Sequence, residues 1–243
     1  MLENHIYHGN CLEVLSEFKS ESIDLIVCDP PFGITANKWD KVIDIDDMWK
    51  NYKRIIKPNG AILLFGNGLF SARNICAAFD IYRYSIIWKK NKPRGFLNAK
   101  KQPLRIHEDI NVFYKNQPIY NPQKTYGHKP VNSYTKRSSD GSNYGKTKLG
   151  YSGGGSTERY PVSIIEFSVV NNDTVKRVHS TQKPVELGSY LIKTYSNENC
   201  LILDNACGSG SFMVAAKKNN RRYIGIDIDA DCVEKTKWRL ENE

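Results

Sequence analysis

The chain has 243 residues, of which 40% are hydrophobic and 25% are charged, and its formal net charge is +9. This length and composition predict one substantial α/β domain, with or without a large insertion, and exclude an intrinsically disordered chain. No apolar run approaches the ~18 residues of a membrane span, and the first residues, MLENHIYHGN, contain no apolar signal region, so we expect a cytoplasmic protein without a membrane partner.

Hydrophobic periodicity predicts alternating strands and helices in the first and last thirds of the chain. Residues 24–28 (DLIVC) and 61–65 (AILLF) are continuous apolar runs, typical of parallel strands buried on both faces. The predicted strands are 5–8, 24–28, 61–65, 82–88, 200–204 and 223–227, and the predicted helices are 11–18, 46–57 (ended by Pro58-Asn59-Gly60), 69–79, 184–195, 210–218 and 230–240. This alternation favours a mostly parallel sheet with helices on both faces.

Between about residues 115 and 159 the chain is rich in Gly, Ser, Asn, Thr, Tyr and Lys and has neither a helical nor a strand period. A segment of this length without secondary structure is usually functional or disordered. Order returns with residues 160–167 (YPVSIIEF). We therefore divide the chain into residues 1–115, 116–160 and 161–243.

The positive charge is concentrated in the middle third. Residues 88–183 contain 18 Lys or Arg against 6 Asp or Glu, whereas the rest of the chain contains 17 against 20. Such a block suits a surface that faces a polyanion, the alternative being a generic solvated surface. Tyrosines interleaved with the basic residues, such as Tyr126, Tyr134, Tyr144 and Tyr151, are suited to base stacking. The candidate nucleic-acid contacts are Lys89, Lys90, Lys92, Arg94, Lys100, Lys101, Arg105, Lys136 and Arg137.

The six cysteines, at positions 11, 28, 76, 200, 207 and 232, include no C-x-x-C pair, and the histidines are not clustered with them. This spacing favours neither a zinc site nor a disulfide framework. We expect no metal.

A glycine-rich turn follows the strand 200–204, in the sequence DNACGSGSF of residues 204–212. Asp227 lies 19 residues after Gly208, at the end of the next predicted strand, where a carboxylate can accept both ribose hydroxyls of a nucleoside. The position of the third glycine of a dinucleotide motif is Met213, and Asp204 gives the turn an acid suited to a cationic, phosphate-free ligand. The pattern favours S-adenosylmethionine over NAD or FAD, with a dinucleotide oxidoreductase or a simple packing turn as alternatives.

The other chemical motif is Asp29-Pro30-Pro31-Phe32, at the carboxyl end of a buried strand, where open α/β sheets place their sites. The amino group of a nucleobase is a poor nucleophile, and two acceptors, the Asp29 carboxylate and the Pro30 carbonyl, can draw its nitrogen toward tetrahedral geometry. The prolines fix that carbonyl, and Phe32 offers an aromatic face to a flipped base. The alternative is a plain turn with a buried Phe. Ring-carbon methylation uses a cysteine in a Pro-Cys dipeptide, which the sequence lacks.

The D-P-P-F element followed by the glycine turn resembles the β-class amino-methyltransferases of DNA. Residues 8–13 (HGNCLE) resemble the family's opening segment, with Asn10 in place of an Asp that approaches the cofactor adenine, and residues 88–91 (WKKN) and 179–187 (HSTQKPVEL) are similar to two further segments. His107-Glu108 also matches a common segment, with a structural or a catalytic role. The resemblance implies catalytic residues Asp29, Pro30, Pro31 and Phe32, and a cofactor site made of Asn10, Cys11, Asp29, Gln182, Lys183, Pro184, Asp204, Ala206, Gly208, Ser209, Gly210 and Asp227.

The resemblance implies a Rossmann-like, circularly permuted methyltransferase fold with a seven-stranded, mostly parallel sheet. Residues 116–160 then read the DNA target, and we predict that residues 120–158 are mobile alone and become ordered on DNA. The implied activity is methylation of adenine N6 in double-stranded DNA by base flipping, within a restriction system, a phage or a regulatory circuit of a bacterium. Cytosine N4 is the alternative, since that subgroup more often has Ser at the position of Asp29. An RNA methyltransferase and a non-catalytic DNA-binding protein are further alternatives, and a homodimer is expected because relatives are often dimers.

Overall fold

The computed structural model describes residues 1–33, 40–135, 152–170 and 182–243. The chain forms two compact units: residues 1–121 together with 163–243, and residues 122–162. The larger unit contains every predicted strand and helix.

The larger unit is built on one eight-stranded sheet. Its strands are β1 (His5–His8), β2 (Ile23–Cys28), β3 (Ile56–Gly66), β4 (Tyr82–Arg94), β5 (Arg105–Phe113), β8 (Ile164–Glu166), β9 (Leu201–Asp204) and β10 (Arg222–Asp227), while β6 (Tyr134–Thr135) and β7 (Ser152–Gly153) belong to the smaller unit. The spatial order is β1-β10-β9-β2-β3-β5-β4-β8. The first five of these strands pair in parallel, β5 runs antiparallel between β3 and β4, and β8 adds a parallel edge. This confirms the predicted fold class, and β8 extends the expected seven strands to eight.

Helices cover both faces of the sheet. They are α1 (Cys11–Ser16), α2 (Ile45–Ile55), α3 (Gly68–Ala77), α4 (Val185–Tyr195), α5 (Ser211–Lys218) and α6 (Ala230–Asn242). Successive side chains of β2 enter opposite cores: Leu25 and Val27 pack with α4 and α5, whereas Ile26 and Cys28 pack with α1 and α2. Burial on both faces explains why this strand is apolar at consecutive positions.

One prediction about local structure was wrong, and one strand was missed. The helix expected to end at residue 57 ends at Ile55, because Ile56 pairs with Ile23 and opens β3 directly. Pro58-Asn59-Gly60 therefore lies inside β3, where the pairing register with β2 shifts. The sequence also gave no prediction of β5, which completes a hairpin with β4.

The described part of the smaller unit is an antiparallel pair of arms. Thr125 and Arg159 exchange backbone hydrogen bonds, Val131 is bonded to Ser156 and Gly155, and β6 pairs with β7. An ion pair of 2.7 Å joins Lys124 to Glu158 across the arms. Tyr144, Tyr151, Lys136 and Arg137 lie outside the described residues, so their predicted role in DNA contact stays a prediction.

Within the described ranges no helix has the length and apolar character needed to cross a bilayer. The same residues contain no group of three or more His, Cys, Asp or Glu placed to hold a metal ion. All six cysteines are free thiols.

Candidate active site

Three neighbouring parallel strands end at the same edge of the sheet, and each delivers an acidic side chain there. Strand β2 leads into Asp29, β9 ends at Asp204 and β10 ends at Asp227. All three residues line one cleft of about 830 Å³. That volume is in the range of small-molecule sites, and the carboxyl ends of parallel strands are where open α/β sheets place them.

The glycine turn after β9 is held in a fixed shape from two sides. The Gly208 amide donates a hydrogen bond of 2.7 Å to Asp227 Oδ2. On the side of α6, Thr236 Oγ1 donates to the Gly208 carbonyl at 2.8 Å, and the buried Arg239 donates to the Ser209 carbonyl at 2.7 Å. Gly208 adopts φ +50°, and the place where its Cβ would stand is open, which leaves the backbone accessible to a ligand.

Asp227 is oriented by backbone donors on both oxygens, because its Oδ1 also accepts from the Asp229 amide at 2.9 Å. Each carboxylate oxygen retains a second acceptor position. The predicted role of Asp227 as an acceptor for ribose hydroxyls is therefore compatible with its place in the cleft. The next residue, Ile228, is 69% exposed and lines the same cleft.

Asp204 lies deeper, at the base of the cleft. Burial raises the pKa of its carboxyl to about 8, although a hydrogen bond from the Ala206 amide opposes the shift. Its neighbour Asn205 lines the cleft and accepts a hydrogen bond from the Tyr52 hydroxyl, while its buried Nδ2 has no hydrogen-bond partner among the described residues. A ligand with acceptor groups and a positive charge satisfies both side chains.

This set of groups fits S-adenosylmethionine. The three acidic side chains favour a cationic ligand, which stabilises their ionised forms, and disfavour a pyrophosphate, which would add negative charge beside them. Asp204, Asn205, Gly208 and Asp227 would hold the cofactor from the side of β9 and β10.

The D-P-P-F turn is anchored where it leaves β2. Pro30 is buried, and the Gly33 amide just beyond Phe32 donates a hydrogen bond of 2.8 Å to Asp40 Oδ1. Phe32 lines the cleft with its ring 4.9 Å from that of Phe70. The turn therefore holds Asp29 and the Pro30 carbonyl on a rigid segment at the cleft wall.

Four charged side chains of the cleft form one alternating cluster, which we call the charge cluster: Asp29, Lys183, Glu108 and Lys90. Lys183 forms ion pairs with Asp29 and, at 3.5 Å, with Glu108, and Lys90 forms an ion pair with the other oxygen of Glu108. Lys183 also lies over the Phe65 ring and Lys90 over the Trp88 ring, at 5.3 and 4.9 Å. With two charges of each sign, the cluster balances its own charge in a poorly hydrated site.

Burial and ion pairing act in opposite directions on the pKa values of this cluster. Burial raises the pKa of Asp29, and the ammonium of Lys183 only partly opposes it. Burial works against the ammonium of Lys183, but Asp29 and Glu108 outweigh it and raise the pKa of that lysine. For Glu108, the two lysines outweigh burial and lower the pKa of the carboxyl. Asp29 is therefore the most weakly acidic carboxyl of the cluster.

Most predicted cofactor residues line the cleft, but Pro184 and Gly210 do not. Pro184 is buried at the N-cap of α4. Gly210, with φ +74°, is covered by α6, since a Cβ there would lie 2.3 Å from Thr236 Cγ2. Both residues support the walls of the cleft, and their predicted contact with the cofactor stays a prediction. Asn10 lines the cleft while its side chain also caps α1 by accepting from the Leu12 amide.

The candidate DNA contacts separate into two groups. Lys90 faces inward, into the charge cluster, where its ammonium is paired with Glu108, so its predicted contact with DNA stays a prediction. Arg94 and Arg105 are register partners across β4 and β5 and line the cleft. Lys89 pairs with Glu166 at 2.8 Å on the outside of the sheet. The exposed members of the hairpin are Lys89, Lys92, Arg94, Lys100, Lys101 and Arg105.

Sequence reasoning left open the role of Glu108 and overlooked Ile228. Glu108 is placed by the β4–β5 hairpin, in which it pairs with Trp88. Because β5 was not predicted, this pairing could not be predicted either. The signal that could have identified Ile228 is an apolar residue directly after Asp227, the acid that ends β10.

Comparison with known proteins places these features in a family. The family model described as DNA methylase, N6_N4_Mtase, matches residues 23–237. Type II methyltransferase M1.MboII of Moraxella bovis is 29% identical over 99% of this chain and 98% of its own length. The crystal structure of an M1.HpyAVI complex with S-adenosylmethionine has a TM-score of 0.66 at 22% identity, covering 97% of this chain and 98% of that one. The cytosine-N4-specific PvuII DNA methyltransferase has a TM-score of 0.69 at 15% identity, covering 97% and 85%.

Proposed function

Since the chain belongs to the N6_N4_Mtase family of DNA methylases, we propose that it methylates adenine N6 in double-stranded DNA. Family membership itself makes the chain a DNA methyltransferase that uses S-adenosylmethionine and acts on duplex DNA. The choice of adenine, and the roles of individual residues, are the proposal.

The observation that carries the proposal is Asp29, a carboxylate on a rigid turn facing the cleft that holds Asp204 and Asp227. S-adenosylmethionine supplies an electrophilic methyl group when bound. Asp29 and the Pro30 carbonyl accept hydrogen bonds from the two N–H groups of the target amine and direct its lone pair toward the donor. Because burial raises the pKa of Asp29, its carboxylate is also a competent acceptor for the proton that the amine loses on methylation.

The carboxylate also supports adenine over cytosine. In the family that the motifs resemble, the N4-cytosine subgroup more often has Ser at this position, and this chain has Asp29. Cytosine N4 is the second candidate, because the matched family includes both activities. Of the solved structures that share the fold, one is cytosine-N4-specific.

We assign target recognition to the smaller unit, residues 122–162, together with the exposed basic hairpin of β4 and β5. The unit carries exposed tyrosines, Tyr126, Tyr134 and Tyr160, beside Lys124 and Arg159, a combination suited to stacking and phosphate contact. Ordering of residues 120–158 on DNA stays a prediction, checked by comparing their proteolysis with and without target duplex. The homodimer also stays a prediction, checked by light scattering of the purified protein.

The direct test is transfer of labelled methyl from S-adenosylmethionine to DNA of mixed sequence, with RNA of matched length as the comparison. The proposal predicts label in duplex DNA, little in RNA, and none with Asp29→Ala, which should still bind the cofactor. Label in RNA alone, or an active Asp29→Ala variant, would contradict it.

A further inference from the structure

The hairpin of β4 and β5 extends beyond its neighbours at the edge of the sheet that carries the cleft. Strand β3 ends where Gly66 pairs with Asp109, and β8 pairs only with residues 87–89. Beyond these partners the hairpin continues to the register pair Arg94 and Arg105, both of which line the cleft. Its tip, residues 95–104, therefore projects from the rim of the proposed active site.

The tip is an ordered turn that presents apolar side chains to solvent. Gly95, at φ +91°, begins a single 3₁₀ turn, Phe96–Asn98, and the Lys101 amide donates a hydrogen bond of 2.9 Å to the Asn98 carbonyl. Within this turn Leu97 is 100% exposed and Phe96 is 66% exposed. Backbone hydrogen bonds inside the turn hold its main chain in place, so the turn would lose little backbone conformational entropy on meeting a partner.

The charges around the tip identify the chemistry of that partner. Residues 91–107 contain no Asp or Glu, and the basic residues there are Lys92, Arg94, Lys100, Lys101 and Arg105. Basic residues on both arms of a hairpin suit the two phosphate backbones of a duplex, with the apolar tip between them. A protein partner with an apolar groove would not call for this uniform positive charge.

Resting on the proposed function, we propose that the tip is a wedge that enters the base stack of duplex DNA when the target base leaves it. Leu97 occupies the space vacated by the base and Phe96 contacts the adjacent base pair. Apolar side chains inserted between base steps stabilise unstacked DNA in other proteins. Such a replacement would offset part of the unstacking energy that extruding the base costs.

The test uses the recognition sequence, obtained by modified-base sequencing of DNA from a host that expresses the protein. Two duplexes carry it: one fully paired, and one with an abasic site opposite the target base, so that the base is already free to leave the stack. Single-turnover methylation is measured for the wild type, Leu97→Ala, Phe96→Ala and the control Phe79→Ala. Phe79 is 77% exposed and precedes β4, whose first residue pairs with Phe113 at the opposite edge of the sheet.

We expect Leu97→Ala to be slowed about tenfold on the paired duplex, in line with the cost of unstacking, and to match the wild type on the abasic duplex. Phe96→Ala should show a smaller loss with the same rescue, and Phe79→Ala none. Wild-type rates of Leu97→Ala on the paired duplex, or equal losses on both duplexes, would overturn the wedge. A wild type inactive on both duplexes would instead refute the proposed function.

Discussion

The ammonium of Lys183 is paired with the carboxylate of Asp29, 154 positions earlier in the chain. The same ammonium lies 3.5 Å from Glu108 Oε2, a buried oxygen without a hydrogen-bond partner among the described residues. Two carboxylates therefore compete for one lysine. A shift of Lys183 toward Glu108 would free Asp29 to accept from the target amine, which would make Glu108 a positioning residue in the proposed reaction.

This competition predicts opposite shifts in the pH dependence of methyl transfer. In the proposed mechanism ionised Asp29 is the active form, so the rate should fall as pH falls through its pKa, which burial already raises. Lys183→Met removes a positive charge and should move this acid limb to higher pH. Glu108→Gln removes a negative charge and should move it to lower pH. The measurement is the single-turnover rate against pH at saturating DNA and cofactor.

Lys89→Met is the matched control, because Lys89 pairs with Glu166 outside the cleft and is one residue from Lys90. Its acid limb should coincide with that of the wild type. Shifts of both cluster variants in the same direction would refute the competition.

Cofactor binding should release a proton from Asp204 at neutral pH. Burial raises the pKa of this carboxyl to about 8 in the free protein, so it is mostly protonated at pH 7. A cationic ligand favours the carboxylate, lowers that pKa and expels the proton; binding therefore strengthens as pH rises toward 8. Calorimetry of S-adenosylmethionine binding in phosphate and in Tris should give different enthalpies, and Asp204→Asn should remove the difference. A wild-type enthalpy independent of buffer would contradict this assignment.

The hairpin lysines should contribute to DNA affinity through phosphate contacts. Replacing Lys100 and Lys101 with Gln should lower the salt slope of duplex binding by about 2, since each phosphate contact contributes about 0.9. The control changes Lys19 and Lys115 to Gln, both exposed and at the opposite edge of the sheet, and should leave the slope unchanged. Fluorescence anisotropy across a salt series measures both, and equal slopes for all three proteins would exclude the hairpin from the interface.

Packing against α6 should require glycine at position 210. Gly210→Ala places a Cβ 2.3 Å from Thr236 Cγ2 at φ +74°, and should cost about 2–4 kcal/mol of unfolding free energy from overpacking and backbone strain together. Gly68→Ala is the control: at φ +50° with no atom near the new Cβ, it should cost only about 1 kcal/mol. Urea denaturation compares the two, and equal losses would show that α6 does not constrain the turn.

The position of the three acidic residues in one cleft was easier to predict than strand β5. Asp29, Asp204 and Asp227 each end a buried apolar run, and the shared edge of parallel strands brings them together without further information. Strand β5 was missed because four polar residues, Arg105, His107, Glu108 and Asp109, interrupt its apolar pattern. The strand is stabilised by its pairing with β3 and β4, which the local sequence does not reveal.

The sequence alone also could not predict which face of the sheet a charged side chain of β4 points to. Lys90 and Lys89 are adjacent in a basic run, yet one is buried against Glu108 and the other is exposed with Glu166. Successive side chains of a strand point to opposite faces, so Lys89 and Lys90 face different environments. The register that pairs Trp88 with Glu108 places Glu108 within reach of Lys90.

The most direct test of the account is mass spectrometry of nucleosides from DNA methylated by the wild type and by Asp29→Asn, with cofactor binding measured in parallel. The wild type should produce N6-methyladenine. Asp29→Asn should produce at least ~100-fold less while binding S-adenosylhomocysteine as the wild type does, because the substitution removes the charged acceptor and keeps the shape. Wild-type DNA containing N4-methylcytosine, or an Asp29→Asn variant that methylates adenine at the wild-type rate, would contradict the account.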